Sequence, residues 1–590
     1  MTKSLEMRPV ERPPASTVNL NELFTSKIFK VPDYQRAYSW DRKNWEDLWN
    51  DIREGMDSRT PHFWGTITLR NTGATEYDST SAQQFTVYEV VDGQQRITTL
   101  CLLILALARA GKKPLKDNFV KSGGYYRVRL GSLNDEFFQA IVDDSYPLAD
   151  CRSNGLLAEC LDYFTINLKV MKKDIDHLVE YVQGFTFSLE FQISDENLAI
   201  KAFESLNDRG KPLTVLDKTK SFLMFNSARY LKGELASAIN DCFGNVFKNY
   251  DLIKEKGDVA KIDFIRNPRY RFSEGELLRF FYHYFAQYAV EKYKLMEFTG
   301  YNYFITTENV FEEFLKITCT KLKKAPTKLK SFIGEFLENF SEFTDAFLRI
   351  VTRALVDEHY KEMFCFLGIS AAVYPLIVSL EKEGMLDDRL LRAIEALDLR
   401  VYKIRGTDPR ADLYRETIAK IKTERDPKRV YKGVTSFIEQ FMRDAELHNY
   451  LNGNMYRNPA TKYILWEYEK SISKEKMERT DYKFFAILER EHVFAQNKTT
   501  GFPAYGFEDE SAYMDNINRI GNIMLLEDYL NRKAKDLIPS EKAPIYVQSD
   551  MPSMKTLSAE IANNVHIKQA IDDRSKKIIK FVQKRWTYRP

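Results

Sequence analysis

The sequence predicts a largely helical α+β protein in three parts, on three observations. Over 20–230, short β-like runs alternate with helical stretches: 63–69 (FWGTITL), 85–91 (FTVYEVV), 125–130 (YYRVRL) and 185–192 (FTFSLEFQ). Their length and their β-branched and aromatic content suit strands of an α/β unit. Over 231–440 the β signal fades, and apolar residues recur at three-to-four spacing through 274–294, 309–317, 333–355 and 359–381. That is the period of helices burying one face in a bundle. Over 441–590 a third unit opens on a helical run, 461–472 (TKYILWEYEKSI), and closes on a basic amphipathic one, 567–586. Residues 1–19, which include the Pro-bearing MRPVERPP, read as a flexible lead-in.

A chain of 590 residues has room for about two to four domains. With 87 basic and 84 acidic side chains the formal net charge is +3. That near-balance neither demands nor excludes nucleic acid, because a basic groove can be offset elsewhere. The six cysteines form no C-x-x-C pair, which suits free thiols in a reducing cytoplasm and speaks against a disulfide framework or a zinc site. The start, MTKSLEMRPVERPP, lacks the apolar stretch of a signal peptide, and the longest apolar run, around 100–108, is too short to span a bilayer. A cytoplasmic protein with no membrane partner is expected. Aromatic residues crowd helical runs such as 277–290 (LLRFFYHYFAQYAV) and read as core, not as base-stacking platforms. KLKKAPTKLK (321–330) reads as a solvated inter-helix loop.

The chemistry concentrates in a few polar turns. Asp92-Gly93-Gln94-Gln95-Arg96 lies between the 85–91 run and an apolar helical run, 97–110 (ITTLCLLILALARA). A helix N-terminus offers unpaired N–H groups and the positive end of a dipole, and Gly93 lets backbone approach a ligand closely. Arg96 can fork onto phosphate oxygens, Asp92 can hold a metal or a ribose hydroxyl, and Gln94 and Gln95 can both donate and accept. An empty β-to-α turn has the same sequence. Upstream, VPDYQRAYSW (31–40) puts Gln35, Arg36, Tyr38 and Trp40 in one loop ahead of a helix at 43–53. There Arg36 can meet a phosphate and an aromatic ring can stack on a base, although a surface loop anchored by Trp40 and Trp45 is the plainer account. Downstream, FESLNDRGKPLTVLDKTKS (203–221) sets Asn207, Arg209 and Gly210 in a turn before a helix carrying Asp217 and Lys220. Three such turns in one unit point to a shared site. No G-x-x-x-x-G-K-[ST] occurs, so this is not a Walker-type site.

These three motifs resemble, in order and wording, the N-terminal domain of the GmrSD family. The resemblance implies a ParB-like nucleotide-binding fold that binds and hydrolyses a nucleoside triphosphate (GTP, ATP or another). It places Gln35, Arg36, Asp92, Gly93, Gln94, Gln95, Arg96, Asn207 and Arg209 at the nucleotide.

A second constellation begins at Glu491-His492, in LEREHVFAQ (488–496), followed by Asn522 in IGNIMLL (520–526) and by Asn531. A His beside a carboxylate, then two Asn nine residues apart, fits a ββα-metal nuclease. A neutral imidazole takes a proton from the water that attacks a phosphodiester, a hard divalent cation on oxygen ligands stabilises the charge, and an Asn braces the loop that carries the His. A solvated strand end accounts for an isolated Glu-His pair equally simply. The stretches KYILWEYEKSI (462–472), EHVFAQ (491–496), RIGNIMLLEDYLNRKAKD (519–536) and IDDRSKKIIKFVQKRW (571–586) resemble the C-terminal, HNH-like (His-Me finger) domain of the same family. The resemblance implies His492 as general base, Asn522 as the brace, and Glu491 and Asn531 on Mg²⁺ or another divalent metal. Two departures stand out. Ala495 replaces the Pro of the family's H-x-x-P, and a Gly/Pro/acid-rich insertion occupies 498–511. The other histidines share no metal-ligand spacing and read as structural. In the basic terminal helix, Arg574 and Lys577 are candidates for the DNA backbone.

The whole is expected to be a nucleotide-regulated, metal-dependent DNA endonuclease similar to modification-dependent (type IV) restriction enzymes. Its partners would be double-stranded, modified phage DNA and a nucleoside triphosphate, with a homodimer open. The rival is a non-cleaving, nucleotide-dependent DNA-binding sensor whose nuclease unit has decayed. A ParB-like partition protein fits the first unit only.

Overall fold

The computed structural model describes residues 15–33, 35–79, 82–145, 147–149, 151–171, 174–193, 214–473, 479–495, 501–562 and 567–588. The chain forms two compact units, Met1–Asp251 with Thr307–Ser341, and Leu252–Thr306 with Glu342–Pro590. These boundaries differ from the three-part reading of the sequence: the helical residues 231–440 are shared out between the two units.

The first unit is built on a mixed six-stranded sheet. Its strands are β1 (Ala15–Asn19), β2 (Lys27–Lys30), β3 (His62–Asp78), β4 (Gln83–Asp92), β7 (Val128–Arg129) and β8 (Thr186–Ile193), in the order β1-β8-β3-β4-β2-β7. A separate two-stranded hairpin joins β5 (Lys121–Ser122) and β6 (Tyr125–Tyr126). The β3–β4 pair is antiparallel and the β3–β8 pair parallel. Residues 15–19, taken from the sequence as part of a flexible lead-in, instead form an edge strand that pairs antiparallel with β8, Thr17 opposite Leu189.

The helix Gln94–Arg109 follows β4 directly. It is apolar nearly all round, and Leu100 through Ala108 are buried, as expected of a helix sunk in a core and not laid on it. It packs against the helix Arg152–Met171. Each fully buried Leu contributes about 1.5–3 kcal/mol relative to exposure, so this helix anchors the turn that precedes it. Gly93 makes the turn possible. Its φ is +96°, and a Cβ there would meet Ile67 Cγ1 at 3.1 Å and Thr66 O at 3.3 Å, so a side chain would be strained in backbone and crowded in space.

Among the described residues the second unit is mainly helical, with one antiparallel strand pair, β9 (Leu488–His492) with β10 (Ile523–Glu527), in which His492 lies opposite Ile523 and Glu491 opposite Met524. Many of its aromatic residues are core, with Phe264 and Tyr374 ring centroids 4.5 Å apart and Phe280 and Phe347 packed beside them. Buried Glu395 ties four segments together, accepting from Tyr463 OH, Trp586 Nε1 and Arg585 and meeting His359 Nε2 at 3.0 Å. These bonds and the Arg585 charge hold its carboxyl down at about 2 in spite of burial. In the Thr307–Ser341 segment of the first unit, the expected loop at 321–330 is shorter than the sequence suggests. One helix ends at Leu322 and the next, Pro326–Val356, starts on its proline, because a first-turn proline forfeits no helical hydrogen bond. Among the described residues no helix is long and apolar enough to cross a membrane.

Candidate functional site

In the first unit a cavity of about 390 Å³ opens beside the Gln94–Arg109 helix, within the size range of small-molecule sites. Gln35, Arg36, Gln94 and Gln95 line it, together with Lys220 and Asn240. The 31–40 loop and the Asp92–Arg96 turn are stitched reciprocally. Gln35 Nε2 donates to Val91 O at 2.9 Å and to Val90 O at the end of β4. Gln95 Oε1 accepts from Ser39 N at 2.8 Å and Trp40 N at 3.3 Å, and its Nε2 donates to Ala37 O at 3.2 Å. Each glutamine therefore holds the backbone of the other motif. Tyr38 is buried at the cavity wall, where its OH meets Thr99 Oγ1 at 2.7 Å and accepts from Trp45 Nε1 at 3.0 Å.

Arg96 and Asp92 do not line the cavity. Arg96 Nη1 donates to Thr66 O at 2.9 Å and lies 3.9 Å from Asp92, fastening the start of the helix to β3. The expected phosphate fork is a structural tie, because β3 offers this guanidinium a carbonyl within reach. Burial pushes the Asp92 carboxyl up, against the opposing charges of Arg96 and Arg36. Asn207 and Arg209 lie outside the described residues.

Lys220 carries a charge that the sequence reading left in the background. Burial lowers its ammonium to about 8, while Asp33 and Asp217 pull the other way. The signal was there in Asp217 and Lys220, three apart on one face of the Val215–Tyr230 helix. Three side-chain oxygens around the cavity, Gln35 Oε1, Gln94 Oε1 and Asn240 Oδ1, are buried without a hydrogen-bond partner among the described residues.

In the second unit His492 ends β9. Its Nε2 is 3.0 Å from Asn518 Oδ1, and the Tyr456 ring centroid lies 4.0 Å from its own. An Nε2–H donated to Asn518 leaves the Nδ1 lone pair available as a base. Burial lowers the imidazole to about 4, partly offset by the Asn518 bond, so the ring is neutral at pH 7, the form a general base requires.

Asn522 is fully buried and clamps the segment after the histidine. Its Oδ1 accepts from Phe494 N at 2.8 Å, and its Nδ2 donates to Phe494 O at 3.2 Å and Ile517 O at 2.6 Å. Tyr513 OH adds a 2.6 Å bond to Ala495 O. The turn that Pro stiffens in the family pattern is held here by side-chain hydrogen bonds. Arg574 is not placed for DNA. Its Nη1 donates to Gly521 O and Ile523 O at 2.8 Å and to Ile520 O at 3.3 Å, bracing the turn that presents Asn522. The terminal helix comes so close that a Cβ on Gly521 would collide with Ser575 and Ile571 O. Arg574 is drawn inward by these carbonyls, whereas Lys577 is exposed.

Glu491 is buried. Its Oε1 accepts from Lys542 Nζ at 2.7 Å and Tyr546 OH at 2.8 Å, and the same Lys542 donates to His492 O at 2.6 Å. Lys542 is fully enclosed. Burial pushes the Glu491 carboxyl up against the opposing pull of Lys542, so the pair offsets its desolvation only in part. Sequence reasoning missed Lys542 and Tyr546, although their i, i+4 spacing on the Pro539–Tyr546 helix puts them on one face. Asn531 is half-buried on the Asp528–Ala534 helix, which packs against β9, and its side chain makes no hydrogen bond among the described residues. Among the described residues no three of His, Cys, Asp and Glu cluster to hold a metal. Glu491 and Asn531 are oxygen donors of the type Mg²⁺ takes, but Glu491 Oε1 is already bonded to Lys542 and Tyr546.

Residues 20–224 match the family described as GmrSD restriction endonuclease, N-terminal domain, and residues 438–581 match GmrSD restriction endonucleases, C-terminal domain. No curated protein matches the chain.

Proposed function

The chain belongs to the GmrSD restriction endonuclease family, and on that premise we propose a nucleotide-regulated, metal-dependent DNA endonuclease of the type IV kind, acting on modified foreign DNA. We read the first unit as a ParB-type nucleotide fold, with a nucleoside triphosphate in the cavity beside Arg36 and Lys220. We read β9, β10 and the Asp528–Ala534 helix as an HNH-like ββα-metal unit. The observation that supports this best is His492: neutral, oriented through Nε2 by Asn518, with Asn522 fixing the segment that follows.

In this reading His492 Nδ1 takes a proton from water as its oxygen attacks phosphorus, and the 3′-oxygen leaves. Glu491 and Asn531 would hold a divalent cation, which would supply charge stabilisation at the phosphate. Asn522 keeps the histidine aimed, and Lys577 touches backbone phosphate. Nucleotide occupancy of the first unit sets whether cutting proceeds.

The test is cleavage of matched modified and unmodified plasmid, with Mg²⁺, with and without each nucleoside triphosphate. Cutting that His492→Ala all but abolishes supports the reading; cutting left unchanged by the substitution removes it. One observation favours a second reading, a DNA-binding sensor that does not cut: an enclosed ammonium, Lys542, already neutralises Glu491. That reading requires DNA binding without product at any Mg²⁺ concentration.

A further inference from the structure

The three buried oxygens around the cavity belong to Gln35, Gln94 and Asn240, and all three residues line it. A buried carbonyl oxygen with no partner is costly, so an occupant that satisfies it gains affinity. Gln35 cannot turn its amide round, because its Nε2 is already committed to Val90 O and Val91 O. At Gln35 the cavity therefore asks for a hydrogen-bond donor. A triphosphate tail brings acceptors only. Donors sit at the other end of a nucleotide, on the ribose hydroxyls and on the amino or ring N–H of the base.

Asn240 comes from the helix Ala236–Ala260, beyond the matched segment, which ends at residue 224. The cavity-lining residues of this helix are Asn240, Asp241, Gly244, Asn245, Phe247 and Lys248, a spacing that keeps them on one helical face. Gly244, one turn after Asn240, faces open space: a Cβ there meets nothing within 4 Å. Phe247 adds an aromatic surface, and Asp241 adds a negative charge that repels phosphate. The cations Arg36 and Lys220 come from other elements of the unit.

Resting on the nucleotide reading above, we propose that Asn240 is the specificity-determining residue of the cavity. Its Oδ1 accepts an N–H of the nucleobase, which lies over Gly244, while Gln35 and Gln94 accept from the sugar hydroxyls. Base discrimination then sits on a helix outside the three motifs, and chains that share those motifs are free to differ in nucleotide preference.

Isothermal titration of the full chain with the four ribonucleoside triphosphates, and with inorganic tripolyphosphate as a base-free probe, tests this. Asn240→Leu is expected to lose about tenfold or more in affinity for the preferred nucleotide, to flatten the ranking of the four, and to leave tripolyphosphate unchanged. Asn240→Asp keeps an acceptor and keeps the ranking. Gly244→Leu, which fills open space on a helix, is expected to block nucleotides and spare tripolyphosphate. An unchanged ranking in Asn240→Leu, or an equal loss for tripolyphosphate, overturns the assignment. Absence of any nucleotide binding to the unaltered chain overturns the nucleotide reading itself, and this assignment with it.

Discussion

The cavity and the hairpin are finished to different degrees. Around the hairpin the working side chains are bonded within the protein: three bonds from Asn522, two to Glu491 and one at His492 Nε2. Around the cavity three side-chain oxygens have no hydrogen-bond partner among the described residues. A site already satisfied holds its geometry before substrate arrives, which favours catalysis by fixed groups. A site with unmet acceptors is completed by its ligand, and the ligand then stabilises the fold around it by mass action. On the proposed reading, the first unit is the one that a ligand would complete and the second the one already set for catalysis.

The predictions can break that contrast or sharpen it. His492→Ala has the largest expected effect, a loss of about 10²–10⁴ in cleavage rate, measured on supercoiled plasmid, with nucleotide binding retained. Lys542→Met leaves the Glu491 carboxylate buried without its counter-ion and is expected to cost about 3–5 kcal/mol. Hydrogen exchange across β9 reads this loss, and adding Glu491→Gln should restore most of the protection. Asn522→Ala strands Phe494 N–H and is expected to cost about 1–3 kcal/mol, seen as lost protection at Val493 and Phe494. Normal protection in that variant would mean the hairpin does not rely on its clamp.

Smaller effects separate the two adjacent glutamines. Gln95→Ala releases the Ser39 and Trp40 amides and should lower stability by about 1–3 kcal/mol whether or not nucleotide is present. Gln94→Ala should leave the stability of the ligand-free chain unchanged and weaken nucleotide binding alone. Equal behaviour of the two would erase the distinction between stitch and contact. The smallest effect is in pH. Lys220, lowered to about 8, is charged below that value and neutral above it. Affinity for a triphosphate should fall by up to about tenfold as pH rises from 7 to 9, and Lys220→Met should remove that slope.

What the sequence disclosed follows from how local each feature is. The β4–turn–helix was legible because a strand pattern, a glycine and an all-apolar helix are adjacent in the chain. The Asn522 clamp was foreseeable through the family resemblance and not through proximity, since its partner Phe494 lies 28 residues away in the chain. Arg96 and Arg574 were not legible. Each lies in a setting that suits phosphate, and each is spent on backbone carbonyls, Thr66 O for one and the 520–523 turn for the other. Only the tertiary neighbours decide which way an arginine turns. Lys542 escaped for the same reason, since nothing at 542 announces a carboxylate at 491. The strand at Ala15–Asn19 was missed because five residues with a single aliphatic side chain larger than alanine, Val18, carry no readable alternation.

The crossed bonds of Gln35 and Gln95 bear on how this protein can be re-engineered and how it can diverge. Because each motif supplies the glutamine that the other needs, replacing the 31–40 loop alone, or the Asp92–Arg96 turn alone, with a dissimilar segment from another protein should give a misassembled chimera. Exchanging both together should give a working one. The two segments, about sixty residues apart in the chain, behave as a single inherited module.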